Sequence, residues 1–244
     1  MYLASQPPYN LGMKLTSITL NGDIRPIVQP DSFEELQEAW RLLGLREQPV
    51  IVIVGGAGGM TEEDVARVQV FFEKHLMPLA RQKNAAIIDG GTNSGVMAAI
   101  GLARKLTGEG GPLIGVAARD IEKLETMLEP NHTHFILCPG SNWGDESEWI
   151  AAAASALSAS QPSVTIMING GKIAWDDARL NIQYGRPVLI AEGSGRTADV
   201  IATTSLGRAF DQQAVSLLRT GKVHVANFFK DPKNFVERLN SLMK

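Results

Sequence analysis

The sequence predicts an α/β fold of three layers, in which a doubly wound, mainly parallel sheet carries helices on both faces. Short apolar runs rich in β-branched residues alternate along the chain with longer stretches of helical periodicity. The runs start about 22 to 37 residues apart, close to the ~30 residues of a βαβ unit. The chain of 244 residues is 44% hydrophobic, which is enough apolar material for a substantial core.

The strands and helices of this fold can be assigned in order along the chain. Buried strands are predicted at residues 49–54, 85–89, 112–117, 134–138, 163–168 and 186–191. Connecting helices are predicted at residues 61–82, 94–106, 145–159 and 197–206, where apolar residues recur mostly at steps of three and four. Because strands and helices alternate, parallel pairing with right-handed crossovers is the expected arrangement.

The two ends of the chain are predicted to add to this core, which spans about residues 49–205. Residues 1–48 form an N-terminal extension packed on the main domain, and residues 206–244 supply a last strand and a closing helix. The predicted terminal elements are strands at 13–20, 25–29 and 222–229 and helices at 32–43 and 233–243. Because no linker, repeat or low-complexity segment separates these parts, residues 1–244 are interpreted as a single domain.

Composition excludes several classes of function. The 23 basic and 26 acidic residues give a net charge of −3, which argues against nucleic acid as the main partner. The single cysteine, Cys138, cannot form an intramolecular disulfide, so we expect a reducing, cytoplasmic location. No run approaches the ~18 apolar residues of a membrane span, and residues 1–16 lack the apolar segment of a secretory signal. Homo-oligomerisation through the helical faces or the extension is compatible with the sequence.

The chain has 24 glycines, and the excess over the usual proportion lies largely in the turns that follow the predicted strands. These turns are GGAGG at 55–59, GGTNSG at 90–95, PGSNWG at 139–144, NGGK at 169–172 and EGSG at 192–195. In a parallel sheet all five meet at the carboxyl edge, where open α/β sheets bind their ligands. The alternative is that glycine only relieves tight turns.

The turn EGSGRTAD indicates a phosphate seat. Gly193, Ser194 and Gly195 open a predicted helix, and Arg196 lies in its first turn. Main-chain N–H groups, the positive end of the helix dipole and a guanidinium all favour an anion. The alternative is that Arg196 pairs with Asp199 or another carboxylate.

The turns after the first two core strands are less specific. Gly56 and Gly58 meet the first part of a dinucleotide-binding fingerprint, but Thr61 stands in the place of its third glycine, so a standard NAD-dehydrogenase site is not predicted. Asp89 could hold a ribose hydroxyl or cap the turn that follows it. Residues 92–94 could contact a ligand or cap the next helix.

Four motifs, GGAGG, IDGGTNSGVMAAIG, NHTHFIL and VLIAEGSGRTADVIA, resemble in order the LSDAT family of the SLOG superfamily, over roughly residues 50–205. The family includes the N-terminal nucleotide-sensing region of TRPM channels, and this chain is similar to a stand-alone, prokaryotic-type member. The resemblance implies a Rossmann-like sheet that recognises nucleotide-derived ligands, of which ADP-ribose is the best known. A more distant similarity connects it with LOG and DprA proteins.

The glycine turns and the resemblance together define the candidate site. Asn131 and His132 are candidates because they lie in the NHTHFIL motif. Trp143 could either stack on a base or cover a helix end. The candidate ligand-binding residues are Gly55, Gly56, Ala57, Gly58, Gly90, Gly91, Thr92, Asn93, Gly95, Asn131, His132, Gly170, Gly171, Lys172, Gly193, Ser194, Gly195 and Arg196.

Catalysis is a weaker expectation than binding. LOG-type phosphoribohydrolases carry a PGGxGTxxE turn that this sequence lacks at its expected place. If such chemistry occurs, the first carboxylates to test are Glu62, Glu63, Asp145, Glu146 and Glu148. His132 and His134 lack a third metal ligand at a recognisable spacing, so no metal site is predicted. Asp176 and Asp177 are interpreted as partners of a helix dipole on a solvated face.

The sequence therefore favours a cytosolic sensor or binding domain for a small nucleotide-derived ligand. The expected ligand is of the ADP-ribose type, and NAD-related compounds or nucleoside phosphates are the other candidates. The first alternative is a phosphoribohydrolase or N-glycosidase acting on nucleoside phosphates. The second is single-stranded DNA binding, which the acidic balance and an aromatic content of 6% disfavour.

Overall fold

The computed structural model describes residues 12–108 and 110–244, so the first eleven residues of the predicted extension lie outside the described part. Within it, nine strands form one sheet, and every predicted strand is confirmed. The strands are β1 (Thr16–Leu20), β2 (Asp23–Val28), β3 (Val50–Gly55), β4 (Ala86–Asp89), β5 (Leu113–Ala118), β6 (His134–Cys138), β7 (Ser163–Ile168), β8 (Val188–Glu192) and β9 (Val223–Asn227).

The strand order is β1-β2-β6-β5-β4-β3-β7-β8-β9, and all neighbours are parallel except β1 and β2. The chain lays β4, β5 and β6 on one side of β3 and then returns to place β7 on the other side. The order therefore reverses between β3 and β7, which is the point where open α/β sheets bind ligands. The glycine turns after β3, β4, β6, β7 and β8 share the carboxyl edge, as predicted.

The strands of the N-terminal extension join the sheet itself, beside β6. Asn21 and Gly22 have positive φ angles of 49° and 91° and form the tight turn of an antiparallel hairpin. Ile27 of β2 then pairs in parallel with Phe135 of β6. Since an uncovered β6 would expose unpaired main-chain groups, the hairpin completes this side of the sheet.

Helices cover both faces of the sheet, in agreement with the predicted three layers. The predicted helix at 61–82 is continuous from Glu62 to Lys83, but its middle, Phe72–Leu76, is a π-helical turn. The helix at Gln212–Leu218 was not predicted from the sequence. The helices are α1 (Leu36–Leu42), α2 (Glu62–Phe71), α3 (Met77–Lys83), α4 (Gly95–Thr107), α5 (Ser147–Ser158), α6 (Lys172–Gln183), α7 (Arg196–Ser205), α8 (Gln212–Leu218) and α9 (Pro232–Leu242).

Two apolar layers hold the helices to the sheet, and β3 contributes to both. Val50, Val52 and Val54 face the layer formed with α1, α5, α6, α7 and α8. Ile51 and Ile53 face the opposite layer, formed with α2, α3, α4 and α9. The continuous apolar run of this strand thus reflects burial on both faces, as is typical of a central parallel strand. Among the described residues, none of the helices has the length and apolar character needed to span a membrane.

Candidate ligand-binding site

A cavity of about 640 Å³ opens at the carboxyl edge of the sheet, beside the reversal between β3 and β7. This volume lies within the ~300–1,000 Å³ typical of small-molecule sites. The turns after β3 and β4 form part of the lining, and the segments before β6 and α5, together with side chains of α5 and α6, complete it. The lining residues are Ile53, Val54, Gly55, Ala57, Gly58, Gly90, Thr92, Asn93, Ser94, Val96, Met97, Thr126, Met127, Trp143, Glu146, Ile150, Ile173 and Asp177.

The turn after β3 can follow its path only because position 55 is glycine. Gly55 has a φ of +153°, and a Cβ atom there would lie 1.9 Å from the main-chain oxygen of Ile168 on β7. The next residue, Gly56, donates its N–H to the same oxygen at 3.0 Å. The end of β3 is therefore pressed against β7, and the chain then turns outward so that Ala57 and Gly58 are exposed at the cavity.

The turn after β4 packs directly on the turn after β3. Val96, at the start of α4, donates its N–H to the main-chain oxygen of Gly56 at 3.0 Å. A Cβ atom at Gly95 would lie 2.0 Å from that oxygen, and its φ of +50° also favours glycine. One donor at the start of α4 is thus used inside the protein, and the amide of Asn93 is likewise bonded to the oxygen of Met127 at 2.6 Å.

The EGSG turn after β8 differs from the predicted phosphate seat, because the protein's own groups occupy two of its amides, those of Gly193 and Ser194. Gly193 donates its N–H to Oδ1 of Asp199 at 2.6 Å, and Ser194 donates its N–H to the oxygen of Ala191 at 3.2 Å. The Ser194 hydroxyl accepts the N–H of Asn169 at 2.7 Å. Asp199 therefore closes the turn, where the sequence alternative had paired it with Arg196.

Arg196 does not line the cavity but lies beside Gly58, which with Ala57 forms the exposed part of the lining, called here the mouth of the cavity. Its Nη1 donates to the main-chain oxygen of Gly58 at 3.2 Å, although its side chain is exposed. Cβ atoms built at Gly59 and Gly171 would lie 3.2 and 3.1 Å from the guanidinium, so both glycines leave room for it. Arg196 also has a φ of +49°, which few non-glycine residues adopt. The guanidinium therefore spans the turns at the point where the strand order reverses.

His132 is enclosed in the interior and does not line the cavity, contrary to the sequence expectation. Its Nε2 is 2.8 Å from Oδ1 of Asp89, and its Nδ1 is 2.8 Å from Oε2 of Glu129. Burial lowers the pKa of His132, but the two carboxylates outweigh burial and raise it to about 9. His132 is therefore a buried cation between two anions, since the sequence pattern could not tell a ligand contact from an internal ion pair.

Asn131 and Asp89 belong to the same internal hydrogen-bond network. Asn131 donates its main-chain N–H to Glu129 at 2.9 Å and its side-chain amide to the other oxygen at 2.5 Å. Asp89 also accepts the N–H of Gly91 at 2.7 Å, so it caps the turn and is fully buried. Because Glu129 follows closely on Met127 in the cavity lining, these contacts hold the wall of the cavity in place instead of reaching its interior.

Two carboxyl groups line the cavity, and one of them escaped the sequence analysis. Glu146 was among the carboxylates singled out, whereas Asp177 was interpreted as part of a solvated face; Asp177 is 8% exposed. It lies on the buried stripe of α6 with Ala174 and Ala178, a helical spacing that could have identified it. Asp176 does face solvent, where it binds Arg179 at 3.1 Å.

The other carboxylates proposed for catalysis lie elsewhere. Glu62, Glu63 and Glu148 are exposed and absent from the lining, and Asp145 accepts the N–H groups of the turn at Ser141. Of the predicted binding residues, the cavity brings together Gly55, Ala57, Gly58, Gly90, Thr92 and Asn93. The following predicted residues lie outside its lining: Gly56, Gly91, Gly95, Asn131, His132, Gly170, Gly171, Lys172, Gly193, Ser194, Gly195 and Arg196.

Solved structures of similar fold include two proteins named for the molybdenum cofactor. The carrier protein from Chlamydomonas reinhardtii is 17% identical, with a TM-score of 0.54 over 80% of this chain and 98% of its own. The binding protein from Rippkaea orientalis is 14% identical, with a TM-score of 0.54 over 82% and 99%. A structural genomics target, TM1055, is 19% identical, with a TM-score of 0.56 over 78% and 99%. At these identities the similarity supports the Rossmann-like α/β fold alone.

A family model confirms the resemblance seen in the motifs. The model, described as "SLOG in TRPM, prokaryote", matches residues 48–237. The match covers the core and most of the C-terminal segment, including all the glycine turns and the cavity lining. The chain therefore belongs to LSDAT_prok, the prokaryotic family of SLOG domains of the TRPM type.

Proposed function

We propose that this protein binds a nucleotide-derived ligand of the ADP-ribose type at the carboxyl edge of its sheet. The observation that carries the proposal is the cavity at the reversal of strand order, with an exposed arginine at its mouth. A nucleoside portion enters the cavity, and the phosphates lie outside it, over Gly58 and under Arg196. The single buried thiol of Cys138 is consistent with the cytoplasmic location that the sequence predicts.

The polarity of the two regions supports this orientation. A guanidinium offers five N–H groups in a planar fork that suits phosphate oxygens, and the bond to Gly58 is the only hydrogen bond of the Arg196 side chain within the described part of the chain. The lining, by contrast, contains no lysine, arginine or histidine among the described residues. Phosphate is therefore better accommodated at the mouth than inside.

The relatives also favour a small organic ligand. Two structures of this fold are named for carrying or binding a molybdenum cofactor, and the family description refers to TRPM. Because all of these similarities are distant or general, they support a binding role without selecting the base.

Isothermal titration calorimetry with ADP-ribose, AMP, NAD⁺ and a cyclic dinucleotide tests the proposal. Thermal unfolding gives an independent readout, since a ligand at 100 times its Kd stabilises the protein by ~2.7 kcal/mol. We expect diphosphate ligands to bind more tightly than AMP. Absence of binding and of a thermal shift for every compound would overturn the proposal.

Hydrolysis of the N-glycosidic bond is a second candidate function, because the cavity contains the carboxyl groups of Glu146 and Asp177. Such a pair can protonate a leaving base and activate water. Chromatography of AMP and NAD⁺ after incubation with the protein would reveal the released base. Intact nucleotide after prolonged incubation would exclude this activity.

A further inference from the structure

The cavity is acidic, and this property bears on which base the ligand carries. The inference drawn from it rests on the proposed function. Asp177 is 92% buried and faces the cavity, and the half-buried Glu146 lines it as well. Neither carboxylate forms a salt bridge within the described residues. Asp177 and Glu146 therefore have no counter-charge among the described residues, although Glu146 accepts the N–H of Gly144 at 2.9 Å.

Ionising a buried carboxylate that has no counter-charge costs free energy, and this cost raises the pKa of the group. Burial raises the pKa of Asp177 to about 7, and the charges of Glu146 and Asp176 act in the same direction. Burial also raises the pKa of Glu146. A positive group placed in the cavity would relieve both effects, because it replaces the missing counter-charge.

An aromatic ring completes this end of the site. Trp143 lines the cavity and is 50% exposed, and Ile173 lies beside it in the lining. An indole face attracts a flat cation, and the carboxylates attract the same charge from within the cavity. Arg196 at the mouth favours the opposite charge. The site is therefore negative inside and positive outside.

We infer that the cavity recognises a positively charged heteroaromatic base, and that the preferred ligand is a pyridinium dinucleotide whose diphosphate lies under Arg196. This assignment deepens the proposed function by selecting among nucleotide ligands according to the charge of the base. Glu146, Asp177 and Trp143 are the residues that determine it.

NAD⁺ and NADH provide a matched pair of probes, since they have nearly the same size but differ in the charge of the nicotinamide ring. Calorimetry at pH 8 is expected to give at least tenfold tighter binding of NAD⁺. Asp177→Asn and Glu146→Gln should each reduce this preference severalfold, and Trp143→Leu should weaken NAD⁺ more than ADP-ribose. Glu237→Gln, at an exposed position of α9 outside the cavity lining, is the control and should leave the preference unchanged.

The pH dependence gives a second readout that a merely structural role would not produce. The ionised form of Asp177 binds a cation, so the affinity for NAD⁺ should rise between pH 6 and pH 8 and then level off. Glu146 and Asp176 are the charged groups that act on the pKa of Asp177, and both raise it. The affinity for NADH, whose nicotinamide ring is neutral, should not rise over this interval. Asp177→Asn should abolish the rise for NAD⁺.

The outcomes separate this inference from the proposed function. Equal affinities for NAD⁺ and NADH, together with binding of ADP-ribose, would overturn the inference and leave the nucleotide site intact. Binding of none of the three would contradict both. Circular dichroism and thermal unfolding of each variant establish that it is folded before its affinity is compared.

Discussion

Nη1 of Arg196 lies 3.2 Å from the main-chain oxygen of Gly58, although 138 positions separate the two residues in the chain. The contact connects the turn after β8 with the turn after β3 and bridges the point where the strand order reverses. Because the guanidinium is exposed, the contact contributes little to stability. Its importance lies in holding a positive group at the mouth of the cavity.

Arg196→Gln is therefore expected to weaken binding of ADP-ribose about tenfold, because a bidentate charge-assisted contact with phosphate is lost. The free energy of unfolding should change by less than ~0.5 kcal/mol, as is usual for an exposed side chain. Calorimetry and urea denaturation measure the two effects. Arg219→Gln, at the exposed C-terminus of α8, is the control. Unchanged affinity in Arg196→Gln would remove Arg196 from the site.

Gly55→Ala should be strongly destabilising, by more than ~2 kcal/mol, because its Cβ would clash with the main chain of Ile168 and separate the two central strands. Gly58→Ala, in the same turn, meets no atom within 4 Å and is the matched control, with an expected change below ~1 kcal/mol. Urea denaturation followed by circular dichroism compares them. Similar losses in both variants would show that the approach of β3 to β7 is not the constraint.

Asp177→Asn is expected to stabilise the protein at pH 8 while it weakens the binding of a cationic ligand. The pKa of Asp177 in the folded protein, about 7, lies above its ordinary value of 3.8, so wild-type stability falls as pH rises through this interval. The variant lacks that loss. Its advantage in unfolding free energy should be absent near pH 4, grow between pH 4 and 7, and remain constant above pH 8.

Urea denaturation at several pH values measures this difference against wild type, and Glu237→Gln, at an exposed position of α9, serves as the control. A variant that is no more stable than wild type at pH 8 would mean that the Asp177 carboxylate is not penalised in the folded state. Stabilisation together with loss of binding would be typical of a residue retained for function.

His132→Asn should destabilise the protein most at neutral and lower pH. The pKa of His132 is raised from 6.5 to about 9, so its charge contributes stability that is complete below pH 6.5 and is lost as pH rises through 9. The deficit of the variant should consequently shrink between pH 7 and pH 9.5. Scanning calorimetry across this range measures it, with His224→Asn, at a partly exposed position, as the control. A deficit that is independent of pH would contradict the buried ion pair.

Much of the architecture could be predicted from local patterns. The run at residues 49–54 is apolar at every position, and such a run of β-branched residues is typical of a central parallel strand. The alternation of these runs with helical periodicity defined the layers, and the position of the glycine turns defined the edge at which the cavity lies. Trp143 and Glu146, both named as candidates, line that cavity.

The remaining features depended on contacts between distant segments. Asp176 and Asp177 are adjacent in the chain, yet ~100° of helical rotation turns one to solvent and the other to the cavity. The EGSG turn has the sequence of a phosphate seat, but its groups are bonded within the protein. Asp199 accepts the N–H of Gly193, and Asn169 donates its side-chain amide to the main-chain oxygen of Ser194. Similarly, the internal role of His132 depends on its contact with Asp89, which is 43 positions away in the chain.

Residue patterns within a few turns of chain are enough to specify the period of each element, the parallel sheet, the family and the edge where a ligand would bind. Which polar groups face the ligand space and which are satisfied internally depends instead on contacts between segments that are distant in the chain. The physical reason is that a hydrogen-bond donor or a carboxylate has the same identity in either role, and its role is set by what the folded chain brings within about 3 Å of it.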